Sequence, residues 1–309
     1  MSNNKIQLFW QVYIELEEGL LELARTIHID DDQQKVYSTK IADLLTRTVI
    51  EIEAISKELY LDYGGQGMEE QDMYFDTVCI KYLNDLWKLD KKIVLVASPL
   101  LFFEKDENRI LRPLHKAMRR GKSSSDWNKA YQAVKHNRIK ELKNGNIKHL
   151  IHALAALFVL NLYLRKKVLY LAKDPAGLSI DWGLGSKIFS VKMHPCSKGI
   201  SKDYHKNEDY DDCLYISQPT EKTQAIAIEI ISELNNTISK ANQETVRILN
   251  QKIFDGQMNI NDLNVEMLKS ISDDTRNKYL QSYCQNHNKD LFNAISNSEY
   301  EAVLNTQQY

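Results

Sequence analysis

The chain has 309 residues, of which 43% are hydrophobic and 27% charged, and its formal net charge is −2. That length allows one large domain or two modest ones around a substantial core, and the composition is that of an ordinary globular protein. With 5 prolines and 11 glycines, a strand-and-turn architecture is disfavoured and long helices are expected.

Cys79, Cys196, Cys213 and Cys284 are scattered, with no Cys-x-x-Cys pair. This rules out a disulfide framework and points to a reducing cytosol. The first residues run straight into an amphipathic pattern, so no signal peptide is expected there.

From Ile6 to Ile27 apolar residues recur at helical spacing, with Glu15, Glu17, Glu18 and Glu22 mostly off the stripe. The polar tract 30–34 ends that helix, and a second is expected from about Val36 to Tyr60. Gly64, Gly65 and Gly67 make a loop. A third helix is expected from Glu69 to about Lys88. Ile93–Pro99 is rich in β-branched residues and reads as a short strand or an apolar loop.

Ser123, Ser124, Ser125 and Asp126 form a helix start, since their side-chain oxygens can accept from free first-turn amides. The helix that follows begins near Trp127 and is interrupted at Asn144-Gly145-Asn146. Another runs from about Ile147 to Lys173. Between Leu150 and Leu164 only His152 and Asn161 are polar. That run is short of the ~20 residues a bilayer span needs, so a central core helix is expected, and no membrane.

Past Pro175, alternation over Phe189, Val191 and Met193 is strand periodicity, and Cys213–Ser217 is a second strand. A polar connection at 201–209 makes the pair a small β-hairpin-like insertion near 186–217. A long helix is expected from Glu221 to about Lys252, then shorter ones at 262–270, 273–286 and 289–304. The fold class is therefore mainly α, a helical bundle. Its division is 1–174 for the bundle, 175–220 for the β insertion and 221–309 for a helical extension packing on the bundle.

The most chemistry-rich stretch is Trp127–Arg138. On an ideal helix Trp127, Ala130, Tyr131, Val134 and Arg138 share one stripe, while His136 lies opposite with Lys129, Gln132, Lys140 and Lys143. One face can pack while the other presents an imidazole among ammonium groups. Phosphodiester cleavage needs such a proton acceptor, with cations to stabilise charge building on phosphorus. Between Lys105 and Lys148 there are 13 cations against 4 acids, a concentration that can attract phosphates. The plainer reading is a solvated cationic face, and composition alone favours it.

His194, Cys196, His205 and Cys213 carry zinc-type donors, but their spacing matches no compact knuckle, so no metal and no other cofactor is expected. His149 and His152 could meet His136 in a folded bundle, although such histidines are more often core or boundary residues. No Gly-rich phosphate loop, Gly-x-Ser-x-Gly or His-Glu-x-x-His occurs.

The segment Tyr131-Gln132-Ala133-Val134-Lys135-His136-Asn137-Arg138 resembles the Tyr-Asn-x-x-Lys-His-x-Arg signature of bacterial HEPN-like proteins. Tyr37–Ile41 and Glu51–Glu53 look like the front of such a domain, and the resemblance covers roughly residues 5–172. Those proteins are all-helical, and many belong to abortive-infection and other antiviral loci. Catalytic members are metal-independent endoribonucleases that dimerise so that two Arg…His motifs meet.

The resemblance implies His136 as general acid or base, Gln132 at the family's polar position and Tyr131 at its arginine position. Arg138, or Arg119 or Arg120 returning across the Ser-rich turn, would supply the missing cation. Lys129, Lys135, Asn137 and Lys140 complete the expected RNA-binding set. It further implies RNA as substrate, a homodimer, a partner from the same defence locus and a cytoplasmic setting. The rivals are a non-catalytic module binding RNA, a nucleotide or a protein through the same patch, and a purely structural adaptor.

Overall fold

The computed structural model describes residues 3–66, 72–195, 209–259 and 264–306. In chain order the elements are α1 (Asn3–Thr26), β1 (Ile29–Asp30), α2 (Thr39–Asp62), a π-helical turn (Phe75–Ile80), α3 (Lys81–Trp87), β2 (Val94–Val96) and β3 (Leu101–Phe102). Then come α4 (Asp106–Arg109), β4 (Ile110–Leu111), α5 (Asp126–Glu141), α6 (Ile147–Arg165), β5 (Leu169–Ala172), β6 (Phe189–Val191) and β7 (Met193–His194). The chain finishes with β8 (Tyr215–Pro219), α7 (Glu221–Phe254), α8 (Val265–Asn286), α9 (Asn288–Ser296) and β9 (Tyr300–Leu304). The protein is mainly helical with small sheets, as its patterning implies.

The core is built around α6, buried almost throughout from Ile147 to Leu164. It is the one helix among the described residues long and apolar enough to cross a bilayer, and 83% of that window is buried inside the protein. Each leucine so enclosed contributes about 1.5–3 kcal/mol, which is why the run forms a core helix. Asn146 starts it by accepting from the His149 amide at 3.1 Å, and Lys166 ends it in the left-handed region at φ 46°. The expected helix to Lys173 therefore stops eight residues early, and Leu169–Ala172 is a strand instead.

α1, α2 and α5 lay their apolar stripes against α6. Tyr13 stacks on Phe158 at 5.5 Å, and Trp87 on Tyr163 at 4.3 Å. One acid of α1 departs from expectation. Glu17 is 1% exposed and accepts from Tyr13 Oη at 2.7 Å, the Lys187 amide at 3.1 Å and Ser186. A buried carboxylate needs such partners, and these tie α1 to the loop before β6.

The expected helix at 69–88 is a π turn followed by the seven residues of α3, and residues 67–71 lie outside the described set. β2 settles Ile93–Pro99 as partly strand; it is the centre of a three-stranded sheet, order β4-β2-β6. The hairpin expectation is overturned. β7 pairs with β8 in parallel, Met193 opposite Tyr215, while β6 pairs antiparallel with β2 in the other sheet. Lys92, wholly buried, receives the return by donating to the carbonyls of Asp211 (2.9 Å) and Cys213 (3.1 Å).

The C-terminal region also differs. α8 is one helix where two were expected, and part of 289–304 is β9. β9 lies between β5 and β8 in a four-stranded sheet, order β5-β9-β8-β7. The helices α7, α8 and α9 pack chiefly on one another and on β8, so the extension joins the body through a strand.

Candidate functional site

α5 begins after Ser125, which occupies the cap position without a side-chain bond; Ser124 Oγ instead donates to the Gly121 carbonyl at 3.0 Å. The expected serine cap is thus a turn-closing contact. Trp127, Ala130, Tyr131 and Val134 are buried, and Trp127 Nε1 donates to the Pro113 carbonyl at 2.8 Å. The packing stripe lies where helical spacing places it.

Beyond that stripe the expected constellation separates. Tyr131 is 2% exposed and belongs to the core, with Lys135 Nζ 5.3 Å from its ring centroid. His136 is exposed, and among the described residues it forms no hydrogen bond or ion pair. Asn137 leaves helical geometry (φ −151°, ψ 71°), so α5 kinks one residue after His136. Lys140 and Lys143 lie past the kink and do not continue the face of His136 in the way an ideal helix implies. Asn137 Oδ1 accepts from the Lys140 amide at 3.3 Å.

Among the described residues no arginine pairs with His136. Arg138 pairs with Asp43 at 2.8 Å, Arg120 with Asp76 at 2.8 Å, and Arg119 is exposed. His149 Nδ1 contacts the Asn144 carbonyl at 2.7 Å, and burial holds its imidazole below the usual range. The cationic segment is not a single surface either, because Arg112 is bidentate to Asp212 and Lys129 holds Asp126.

What the fold does assemble is a cleft of about 680 Å³, running from the π turn to α2 and the start of α5. α2 lends Glu53 and Lys57, one turn apart. Tyr74 comes from just before the π turn and Asp76 from within it, the turn before α5 lends Arg120 and Lys122, and α5 itself lends Asn128, Lys129 and Gln132. Three expected residues, Arg120, Lys129 and Gln132, are therefore brought together here. The others were not legible as a site, because they come from three separate segments.

Arg120 is held on two sides. Its Nε donates to Asp76, a side chain only 5% exposed, and its guanidinium lies 3.6 Å over the Tyr74 ring. Tyr74 is still 46% exposed. Burial pushes the Glu53 carboxyl above its ordinary range and Asp76 adds to this, while Lys135, Lys57 and Arg120 pull the other way. Asn128 is 3% exposed, and its carbonyl oxygen has no hydrogen-bond partner.

His194 is buried 3.5 Å from Asp209, and burial raises the Cys213 thiol to about 12. Cys196 and His205 lie outside the described residues. Among the described residues no three His, Cys, Asp or Glu side chains stand together as a metal-binding group.

Chemically, the cleft presents four cations against two carboxylates, beside an open aromatic ring and two amides. No family model matches the chain, and neither does any curated protein or solved structure compared with it.

Proposed function

We propose that this chain is a cytoplasmic HEPN-like protein of bacterial antiphage defence that binds single-stranded RNA in the cleft formed by α2, the π turn and α5. The carrying observation is that Lys57, Arg120, Lys122 and Lys129 line one cleft and outnumber its two carboxylates in a nearly neutral chain, with Arg120 paired to Asp76 and Lys129 to Asp126. Phosphates are attracted to such a concentration of cations, and the cleft is of nucleotide size. The experiment is fluorescence anisotropy of a labelled single-stranded RNA at low and moderate salt. The Lys122→Glu/Lys129→Glu double variant is expected to bind at least about tenfold more weakly and to show a shallower salt dependence. Equal binding by variant and wild type removes the cleft from RNA recognition.

A second reading adds cleavage, with His136 as general acid or base. One observation favours it: His136 is one turn beyond Gln132 on α5, before the kink, so RNA leaving the cleft along the helix passes the imidazole. Ile139, 96% exposed just past the kink, offers an apolar contact for a homodimer that would bring two such histidines together. Cleavage by wild type and not by His136→Ala supports this reading, and equal product from both ends it.

A further inference from the structure

We propose that the C-terminal helices carry a docking groove, between α7 and α9, for a basic amphipathic helix of a partner protein. Two hollows adjoin there, of about 300 Å³ and about 220 Å³, and Ile226, Ile230, Leu291 and Ala294 line both. The larger is mostly apolar, with Ala227, Ile231 and Ile295 in its wall, and no charged residue lines it. The smaller adds Glu229, Glu233 and Asp290, and neither lysine nor arginine. Together they follow α7 from Thr223 to Glu233, about 15 Å of helix or roughly three turns.

This stripe is not covered by the chain itself. α7 runs from Glu221 to Phe254, yet within it only Ala241 and Thr245 are buried. Ile226 is 37% exposed and Ile295, across the groove, 76%. A furrow between two helices is a shape that takes a third, which reads it with apolar anchors at i, i+3, i+4 and i+7. Charge then selects which helix. Among the described residues Glu229, Glu233 and Asp290 have no ion-pair partner, and Tyr283 Oη donates to Glu233 at 2.7 Å. That bond pushes the phenol up to about 12, with burial and the charges of Glu233 and Asp290 contributing. His287, the one basic side chain lining this end, is stacked on the Tyr283 ring at 4.4 Å. A lysine or arginine on the incoming helix pairs with these carboxylates, whereas an acidic helix, a fatty acid or an anionic membrane is repelled. The groove therefore asks for apolar anchors at one end and a cation at the other.

Labelled synthetic peptides probe the groove by fluorescence anisotropy with the full chain. They are a leucine–lysine amphipathic helix, its leucine–glutamate counterpart and a serine–lysine control. The leucine–lysine helix is expected to bind at least about tenfold tighter than either of the others. Glu229→Lys/Asp290→Lys, two exposed positions, should reverse the order of the two leucine peptides. Ala227→Phe, which fills the apolar hollow, should weaken the leucine–lysine helix at least about tenfold, with circular dichroism checking the fold. No binding of that helix by wild type overturns the groove. So does a preference that the charge reversal leaves unchanged, because the peptide is then held elsewhere. Equal binding of the serine–lysine control overturns the apolar half of the site. Sedimentation reads one more outcome: a wild-type chain that dimerises, beside an Ala227→Phe chain that does not, makes the occupant a second copy and overturns the partner helix.

Discussion

The Nε of Arg120 donates to Oδ1 of Asp76 across 2.8 Å, joining segments 44 residues apart. Asp76 is 3% exposed and also accepts from the Thr77 amide at 2.7 Å, so the ion pair is anchored at its acidic end. This relationship sets the wall of the cleft, because the π turn and the turn before α5 have no other charged link among the described residues.

Asp76→Asn keeps the shape and an Oδ1 acceptor but removes the negative charge, so the bond from Arg120 loses its charge assistance. A loss of about 1–3 kcal/mol in unfolding free energy is expected, discounted toward the lower end because Arg120 is half exposed. Urea titration of the variant against wild type reads it. An unchanged midpoint would mean that the pair is ornamental to the fold.

His152 on α6 makes stability pH-dependent. Burial pushes its imidazole down to about 4, with Lys148 and His149 lowering it further and Asp126 opposing them. The unfolded chain protonates near 6.5, so between about pH 6.5 and 4 it binds protons that the folded chain refuses. Stability attributable to this group is present above that window and lost as pH falls through it, by roughly 3 kcal/mol at most. His152→Leu should therefore flatten the difference in melting temperature between pH 7 and about pH 5. A variant whose pH dependence matches wild type would show that the imidazole titrates normally.

Asn305 holds the end of β9. It is fully buried, donates through Nδ2 to the carbonyls of Tyr210 (2.8 Å) and Cys213 (3.1 Å), and its own carbonyl accepts from Tyr163 Oη at 2.9 Å. Asn305→Ala removes one donor from each of two carbonyls, that of Cys213 keeping Lys92, and should cost about 1–3 kcal/mol. Hydrogen exchange at the Tyr300–Leu304 amides should accelerate accordingly. Protection at the wild-type level would place the anchor of this strand elsewhere.

Helix existence was legible wherever burial is one-sided. α1, α2, α5 and α7 follow 3.6-residue spacing, because a helix against a core on one side needs one apolar stripe, whereas α6, enclosed on all sides, was legible as a continuous apolar run. Boundaries were less legible: α6 ends at a left-handed lysine that carries no sequence signal. The strands were harder still. Met193 and Tyr215 alternate as strand residues should, yet whether they pair parallel or antiparallel depends on a partner distant in sequence.

For the site, the stretch Trp127–Arg138 by itself determined its own packing side, since Trp127, Ala130, Tyr131 and Val134 must share a face. It also placed Lys129 and Gln132 on the accessible side. Only the tertiary structure decided what faces them. Asp76 claims Arg120, Asp43 claims Arg138, and Asn137 kinks the helix beyond His136. Periodicity is a local property of the backbone and survives in any fold, whereas a cleft exists only when Glu53, Tyr74 and Arg120 arrive from separate segments at one place.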